Sequence, residues 1–269
     1  MPFRSVIDQM GRTVQCAERP QRIISLVPSQ TELLHDLGLE NEVIGITKFC
    51  IAPDEWFRTK TRIGGTKQIN RELIAQLQPD LIIGNKEENS IEDIEWLGAR
   101  FPVWMSDIFT LADAMEMIRQ VGVLTAREEK AAQLMQEIQR EFSAYQPQSR
   151  LSVAYLIWNQ PCMTIGKHTF IHDLLRVWGA QNVFDRHEDE RYPITSVEEI
   201  KRLAPDVLLL STEPFPFTEA HADEWTKRLD GIPVLIVSGE RFSWYGSSLK
   251  KVPAYFNELN TRIAVLKTL

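Results

Sequence analysis

Few side chains in this sequence stand where they could do covalent chemistry. Cys50 follows an apolar, β-branched run at 42–47 (EVIGIT), so it is expected where a strand leaves a sheet. That is the one setting in which a cysteine of this chain resembles a nucleophile, and no histidine is placed beside it as a base. Cys16, Cys50 and Cys162 are an odd number with no C-x-x-C pair, which signals neither a disulfide framework nor a zinc knuckle; buried free thiols are expected. His168 and His172 are four apart and could share a helix face, a spacing that zinc sites use, which keeps a metal-ion receptor as a rival reading. Two ligands do not make a site, and His35, His187 and His221 sit in polar stretches that read as solvated. No G-x-G-x-x-G follows a strand, and there is no G-x-S-x-G elbow or P-loop. No catalytic residue, resident metal or required cofactor is expected.

Binding chemistry is better represented. Apolar runs end in Pro28, in Lys48 and Phe49, and in Asn85 and Lys86, and a Gly64-Gly65 turn leads to Thr66 and Lys67. In the second half they end in Trp158 and Asn159, in Glu213 and Phe215, and ahead of Trp244 and Tyr245. In open α/β sheets ligands lie beyond the carboxyl ends of the strands. Aromatic area with scattered amides and charges suits a bulky, partly apolar ligand better than a bare ion. Neighbouring side chains in an extended segment point opposite ways, so at least one of Trp244 and Tyr245 is expected to face that ligand.

Strands must alternate with helices to place these exits. Runs at 22–27, 42–47, 81–84 and 102–106 alternate with helical patterns at 29–38, 72–77, 91–99 and 111–123, and the second half repeats the plan with runs at 151–158, 207–211 and 234–238 and a last helix at 249–266. Ser29 and Glu32 have the spacing of a capping box. Mainly parallel sheets covered on both faces are expected. The segment 125–145 has no Gly or Pro, and Ala131, Leu134, Met135, Ile138, Phe142 and Tyr145 fall on one face. With Thr125 and Glu128 as a capping box it reads as one helix of roughly 30 Å.

Three segments before that helix recur after it in the same order. ELLHDLG at 32–38 matches DLLRVWG at 173–179, ELIAQLQPDL at 72–81 matches EEIKRLAPDV at 198–207, and FPV at 101–103 matches IPV at 232–234. The expectation is an α/β chain of two lobes with mainly parallel sheets, joined by one long backbone helix, with a ligand cleft between the lobes. The boundaries are 1–124 for the N-terminal lobe, 125–146 for the linking helix and 147–269 for the C-terminal lobe.

A net charge of −7 without a basic run gives no footprint for nucleic acid. No apolar run approaches the ~20 residues needed to cross a bilayer. The first residues, MPFRSVIDQMGRTV, lack a basic start and an apolar core, so no signal peptide is read there. A periplasmic or membrane-face location would follow if a leader had been removed; the cytoplasm stays open.

RIISLVPSQTELLHDLGL, EVIGIT, IGGTKQINRELIAQLQPDLIIG, GKHTFIHDLLRVWGAQNVF and SVEEIKRLAPDVLLL resemble the vitamin B12 and iron-siderophore class of ABC-transporter substrate-binding proteins. The resemblance covers nearly the whole chain. It implies a monomer that captures a bulky metal chelate, a cobalamin-like corrinoid favoured over haem or a ferric siderophore, and delivers it to a membrane permease. The ligand-binding set, read from the strand exits, is Pro28, Phe49, Thr66, Lys67, Asn85, Lys86, Trp158, Asn159, Glu213, Trp244 and Tyr245. The resemblance places a docking carboxylate for the permease at Glu72. Its partner in the second lobe falls at Ser243, with Glu240 the nearest acid, and the B12 binders carry a Trp where this chain has Thr66.

Overall fold

The β-branched runs become the inner strands of two parallel sheets. The structure, a computed structural model, describes residues 3–147, 151–186 and 190–266. The chain forms two compact units, one comprising Met1–Ile108, Ala112–Arg140 and Tyr245–Ser248, the other Phe109–Leu111, Glu141–Trp244 and Leu249–Leu269.

The first unit opens with an antiparallel hairpin, β1 (Phe3–Ile7) and β2 (Thr13–Ala17). There follow β3 (Ile23–Ser25), α1 (Pro28–Asp36), β4 (Val43–Ile46), α2 (Asp54–Thr59), β5 (Thr61–Arg62), α3 (Arg71–Leu77), β6 (Leu81–Asn85), α4 (Ile91–Gly98), β7 (Val103–Ser106), α5 (Leu111–Leu124) and α6 (Glu128–Ala144). Its sheet runs β5-β4-β3-β6-β7 with every pairing parallel. Strands buried on both faces need continuous apolar runs, and Leu81, Ile82 and Ile83 of β6 are fully covered.

The second unit holds β8 (Ser152–Trp158), β9 (Met163–Thr164), α7 (Phe170–Trp178), β10 (Gln181–Asn182), α8 (Val197–Leu203), β11 (Val207–Ser211), α9 (Glu219–Arg228), β12 (Val234–Val237), α10 (Gly239–Ser243) and α11 (Val252–Leu266). Its sheet runs β10-β8-β11-β12, all parallel, with β9 antiparallel on β8.

The repeat read from sequence has a shared physical basis. After α3, Gln78 turns left-handed at φ 44° before Pro79-Asp80; after α8, Ala204 does the same at φ 45° before Pro205-Asp206. Each aspartate then fastens the head of the unit's first parallel strand. Asp80 accepts from the Gln21 and Arg22 amides at 2.7 and 2.8 Å, and Asp206 from the Ser152 amide and hydroxyl, both at 2.8 Å. Glycines with positive φ, Gly38 and Gly179, end α1 and α7.

Three local expectations are corrected. Thr125 does not cap α6: its hydroxyl donates to the Val121 carbonyl at 2.7 Å, closing α5, and Ala126 at φ 54° turns the chain before Glu128. The helix therefore has 17 residues, about 25 Å, with Ala131, Leu134 and Ile138 buried. Ser29 does not cap α1 either; Val27 takes the N-cap position without a side-chain bond, and Pro28, which has no amide hydrogen to satisfy, starts the helix. His168 precedes α7, whose cap is Thr169, so His168 and His172 share no helix face. His187 lies outside the described residues.

Candidate functional site

In the first unit the strand exits are held by buried amides. Asn85, 3% exposed, ends β6; its carbonyl oxygen accepts from the Glu87 and Glu88 amides at 2.9 and 3.2 Å, and its NH2 donates to Ser106 Oγ at 2.9 Å. Asn89 answers from the other end of that turn. Its Oδ1 accepts from the Asn85 amide at 2.9 Å, and its NH2 donates to the carbonyls of Thr66 at 3.1 Å and Leu26 at 3.4 Å. Gln30 on α1 donates to Ser106 Oγ at 2.7 Å. One polar cluster thus links the ends of β3, β6 and β7 to the turn at Thr66. A Cβ on Gly84 would stand 2.7 Å from Asn89 Oδ1, so any larger residue would have to displace that amide.

Phe49 leaves this base half exposed, at 51%. Lys48 Nζ lies 5.1 Å from the centroid of its ring. The Lys48 amide donates to the Gly64 carbonyl at 2.8 Å, and a Cβ on Gly65 would meet Phe49 Cε2 at 3.3 Å and Lys48 Cε at 3.4 Å. The ring and the lysine stem rest on that glycine turn. Cys50 anchors the loop from below: its buried sulfur meets the hydroxyls of Thr31 at 3.0 Å and Thr47 at 3.1 Å, and burial raises its pKa. A neutral, enclosed thiol is an anchor and not a nucleophile.

The other exit residues of this unit divide by role. Pro28 occupies the first turn of α1, half-buried. Thr66 is buried and offers its carbonyl to Asn89. Lys67 is exposed and donates to the Glu87 carbonyl. Lys86 pairs with Asp107 at 2.6 Å. Glu88 stays accessible to water, yet the protein crowding its carboxyl raises its pKa, with Lys67 opposing the rise. Glu72 stands exposed in the first turn of α3.

The second unit presents aromatic surface at the end of β8. Trp158 is 38% exposed, its indole N–H donates to the Gln160 carbonyl at 3.1 Å, and its ring meets the Phe215 ring edge to face at 5.6 Å. Phe215 continues to Phe217 at 4.7 Å and His221 at 5.3 Å. Nδ1 of His221 accepts the Thr218 amide at 3.0 Å, which leaves the ring proton on Nε2; coordinating a metal through Nε2 would break that helix cap. Asn159 follows Trp158, half-buried. Glu213 accepts the Trp244 indole N–H at 3.1 Å. In the same unit, the Arg191 guanidinium lies 4.5 Å from the Phe109 ring centroid and donates to the His168 carbonyl at 2.8 Å.

The structure therefore brings together Phe49, Thr66 and Lys67 around one turn, and Trp158 with Phe215 on one aromatic face. Asn85 is placed at an exit but its amide is committed to the protein. Trp244 and Tyr245 are 8% and 7% exposed, so strand alternation does not leave one of them open: the segment follows a short helix and both rings are covered. Gln30, Asn89 and Ser106 were missed from sequence. Only the Asn85 to Asn89 spacing could have signalled the network, through the habit of Asn side chains of closing turns onto backbone amides.

Residues 23–232 match the family described as Periplasmic binding protein, which is most of the chain. The chain belongs to that family. A Vitamin B12-binding protein of Pectobacterium carotovorum is 27% identical over 238 residues, covering 86% of this chain and 84% of that protein. An uncharacterized ABC transporter substrate-binding lipoprotein of Bacillus subtilis is 25% identical over 218 residues, covering 76% and 68%. Among solved structures, a periplasmic heme-binding protein from Roseiflexus superposes with a TM-score of 0.77 at 18% identity, covering 91% of this chain and 98% of that one, a likeness of fold. This member of the family is the substrate-binding component of an ABC importer. Among the described residues no helix is long and apolar enough to cross a membrane, and no group of three or more His, Cys, Asp or Glu could hold a metal ion.

Proposed function

We propose that this protein captures a flat metal chelate, a cobalamin-like corrinoid, at strand exits of its sheets, and hands it to a membrane permease on the outer face of the membrane. The observation that carries the reading is the exposed aromatic surface at those exits: Phe49 in the first unit, and Trp158 backed by Phe215 in the second. A macrocycle needs broad apolar contact with a few donors and acceptors at its rim. Pro28, Thr66, Lys67 and Lys86 stand at the exits of the first unit, where Asn85 closes a turn; Asn159 and Glu213 stand at those of the second, where Glu213 accepts the Trp244 indole N–H. The likeness to the B12-binding relative supports the corrinoid over other chelates. Haem would want an axial ligand, and the hydrogen bonding of His221 opposes that role.

Tryptophan fluorescence during titration with cyanocobalamin, corrected for the absorbance of the ligand and run beside haem and a ferric hydroxamate, tests the assignment. Saturable quenching by cyanocobalamin that falls away in Trp158→Ala is expected. Saturation only with the hydroxamate would replace the corrinoid with a siderophore.

A further inference from the structure

Most lysines near the strand exits have an oxygen partner. Lys86 reaches Asp107, and Lys67 the Glu87 carbonyl. Lys48 differs. It is exposed, no carboxylate stands within ion-pair distance of it among the described residues, and its ammonium lies over the face of Phe49 at 5.1 Å. Its position is still defined: the backbone is bonded to Gly64, and the end of its stem packs at the Gly65 surface. An ammonium that rests over one face of an exposed ring can serve a ligand that meets that ring and carries an oxyanion beside it.

We infer that Lys48 is a specificity residue that reads an anionic edge group on the bound chelate, working beside the Phe49 ring. The inference rests on the chelate reading proposed above. The chemistry it recognises is a singly charged oxyanion beside a macrocycle, a phosphodiester in the nucleotide loop of cobalamin or a propionate in haem. Lys48 adds discrimination to a site whose affinity comes from aromatic contact, because an exposed charge pair is modest in strength and falls with salt.

Two ligand pairs separate these sources: cobalamin against cobinamide, which lacks the phosphodiester, and haem against its dimethyl ester. Each is titrated against the wild-type protein, Lys48→Met and Lys48→Arg. The expected result is that Lys48→Met lowers the preference for the oxyanion-bearing member of whichever pair binds by about five-fold, leaves affinity for the member without it within about two-fold, and is rescued by Lys48→Arg. Raising salt from ~0.01 M to ~1 M should shrink the wild-type preference and leave that of Lys48→Met alone. Equal weakening of both members, or a preference that survives in Lys48→Met, overturns the role of Lys48 and leaves the chelate reading standing. Binding of none of the four ligands by wild-type protein overturns both.

Discussion

Replacing Asn89 by Asp alters one atom of the network beneath the first unit's strand exits, and its effect should depend on pH. The side chain is 6% exposed. Oδ1 accepts from the Asn85 amide at 2.9 Å, a bond that either residue can make. The NH2 group faces the Thr66 carbonyl at 3.1 Å, and there an ionised carboxylate sets oxygen against oxygen. The 3.4 Å contact to Leu26 is too long to add much, so the loss is one buried bond and a repulsion, about 2–4 kcal/mol. The introduced carboxyl loses hydration and faces an acceptor, so its folded pKa rises above the ~3.9 of an unfolded Asp. The folded state then holds the proton more tightly than the unfolded state, and stability relative to wild type falls as pH rises between those two pKa values. Below about pH 4 the protonated acid can donate to Thr66, and the deficit nearly vanishes. Asn89→Ala removes both bonds at every pH and should cost about 2–5 kcal/mol throughout. Urea unfolding of the three proteins near pH 4 and pH 8 makes the comparison. A deficit for Asn89→Asp that is constant, or larger in acid, refutes the hydrogen-bond assignment.

Glu72→Ala should lower uptake in reconstituted transport with chelate affinity within about two-fold of wild type, since an exposed carboxylate in the first turn of α3 can pair with a basic permease residue without touching ligand; equal uptake removes the docking role. Its contribution to its own helix is a few tenths of a kcal/mol up to ~1, so thermal unfolding should barely move. Native protein at about pH 8 should react slowly with a thiol reagent, because Cys16 and Cys50 are fully enclosed and the half-buried Cys162 has its pKa pushed up to about 11; prompt labelling of Cys50 would contradict its anchoring role. Gly84→Ala should destabilise by more than 1 kcal/mol, because its Cβ collides with Asn89 Oδ1 and Met105 Sδ, and equilibrium unfolding that leaves it at wild-type stability would show that the network gives way easily.

The alternation of strands and helices was legible because burial on both faces of a parallel sheet demands continuous apolar runs, and those runs are visible as letters. β11 begins and ends where its run does, at Val207 and Ser211. Helix starts were harder. Thr125 precedes Glu128 by three, as a cap would, but a threonine hydroxyl can equally bond back to the carbonyl four residues earlier, and Val121 takes it. The turn that follows needs a left-handed Ala126, which no propensity announces. The β1–β2 hairpin escaped for a different reason: Phe3 and Ile7 of β1 are 73% and 64% exposed, and the face that β2 buries rests on Val14 and Cys16 alone, too few apolar letters to mark a strand.

At the proposed binding surface the aromatic residues were legible and their supports were not. Phe49 and Trp158 stand out because a large ring at a strand end has few other uses, and both are exposed as that argument requires. Trp244 shows its limit. It has the same residue type at a similar place in the chain, yet the Glu213 carboxylate takes its indole N–H and both it and Tyr245 are covered. The difference lies in α10, a five-residue helix whose cap at Ser238 is weak in sequence and which ends in Ser243. A reading that extends the strand through that helix keeps the side-chain alternation of an extended chain where the backbone has abandoned it. The same reasoning separates Lys48 from Lys86: each follows a strand, but Asp107 lies at the adjacent exit of β7 to neutralise Lys86, and among the described residues no acid is placed to do so for Lys48. Strand order decides which charges remain available to a ligand, and strand order is not written in any one segment.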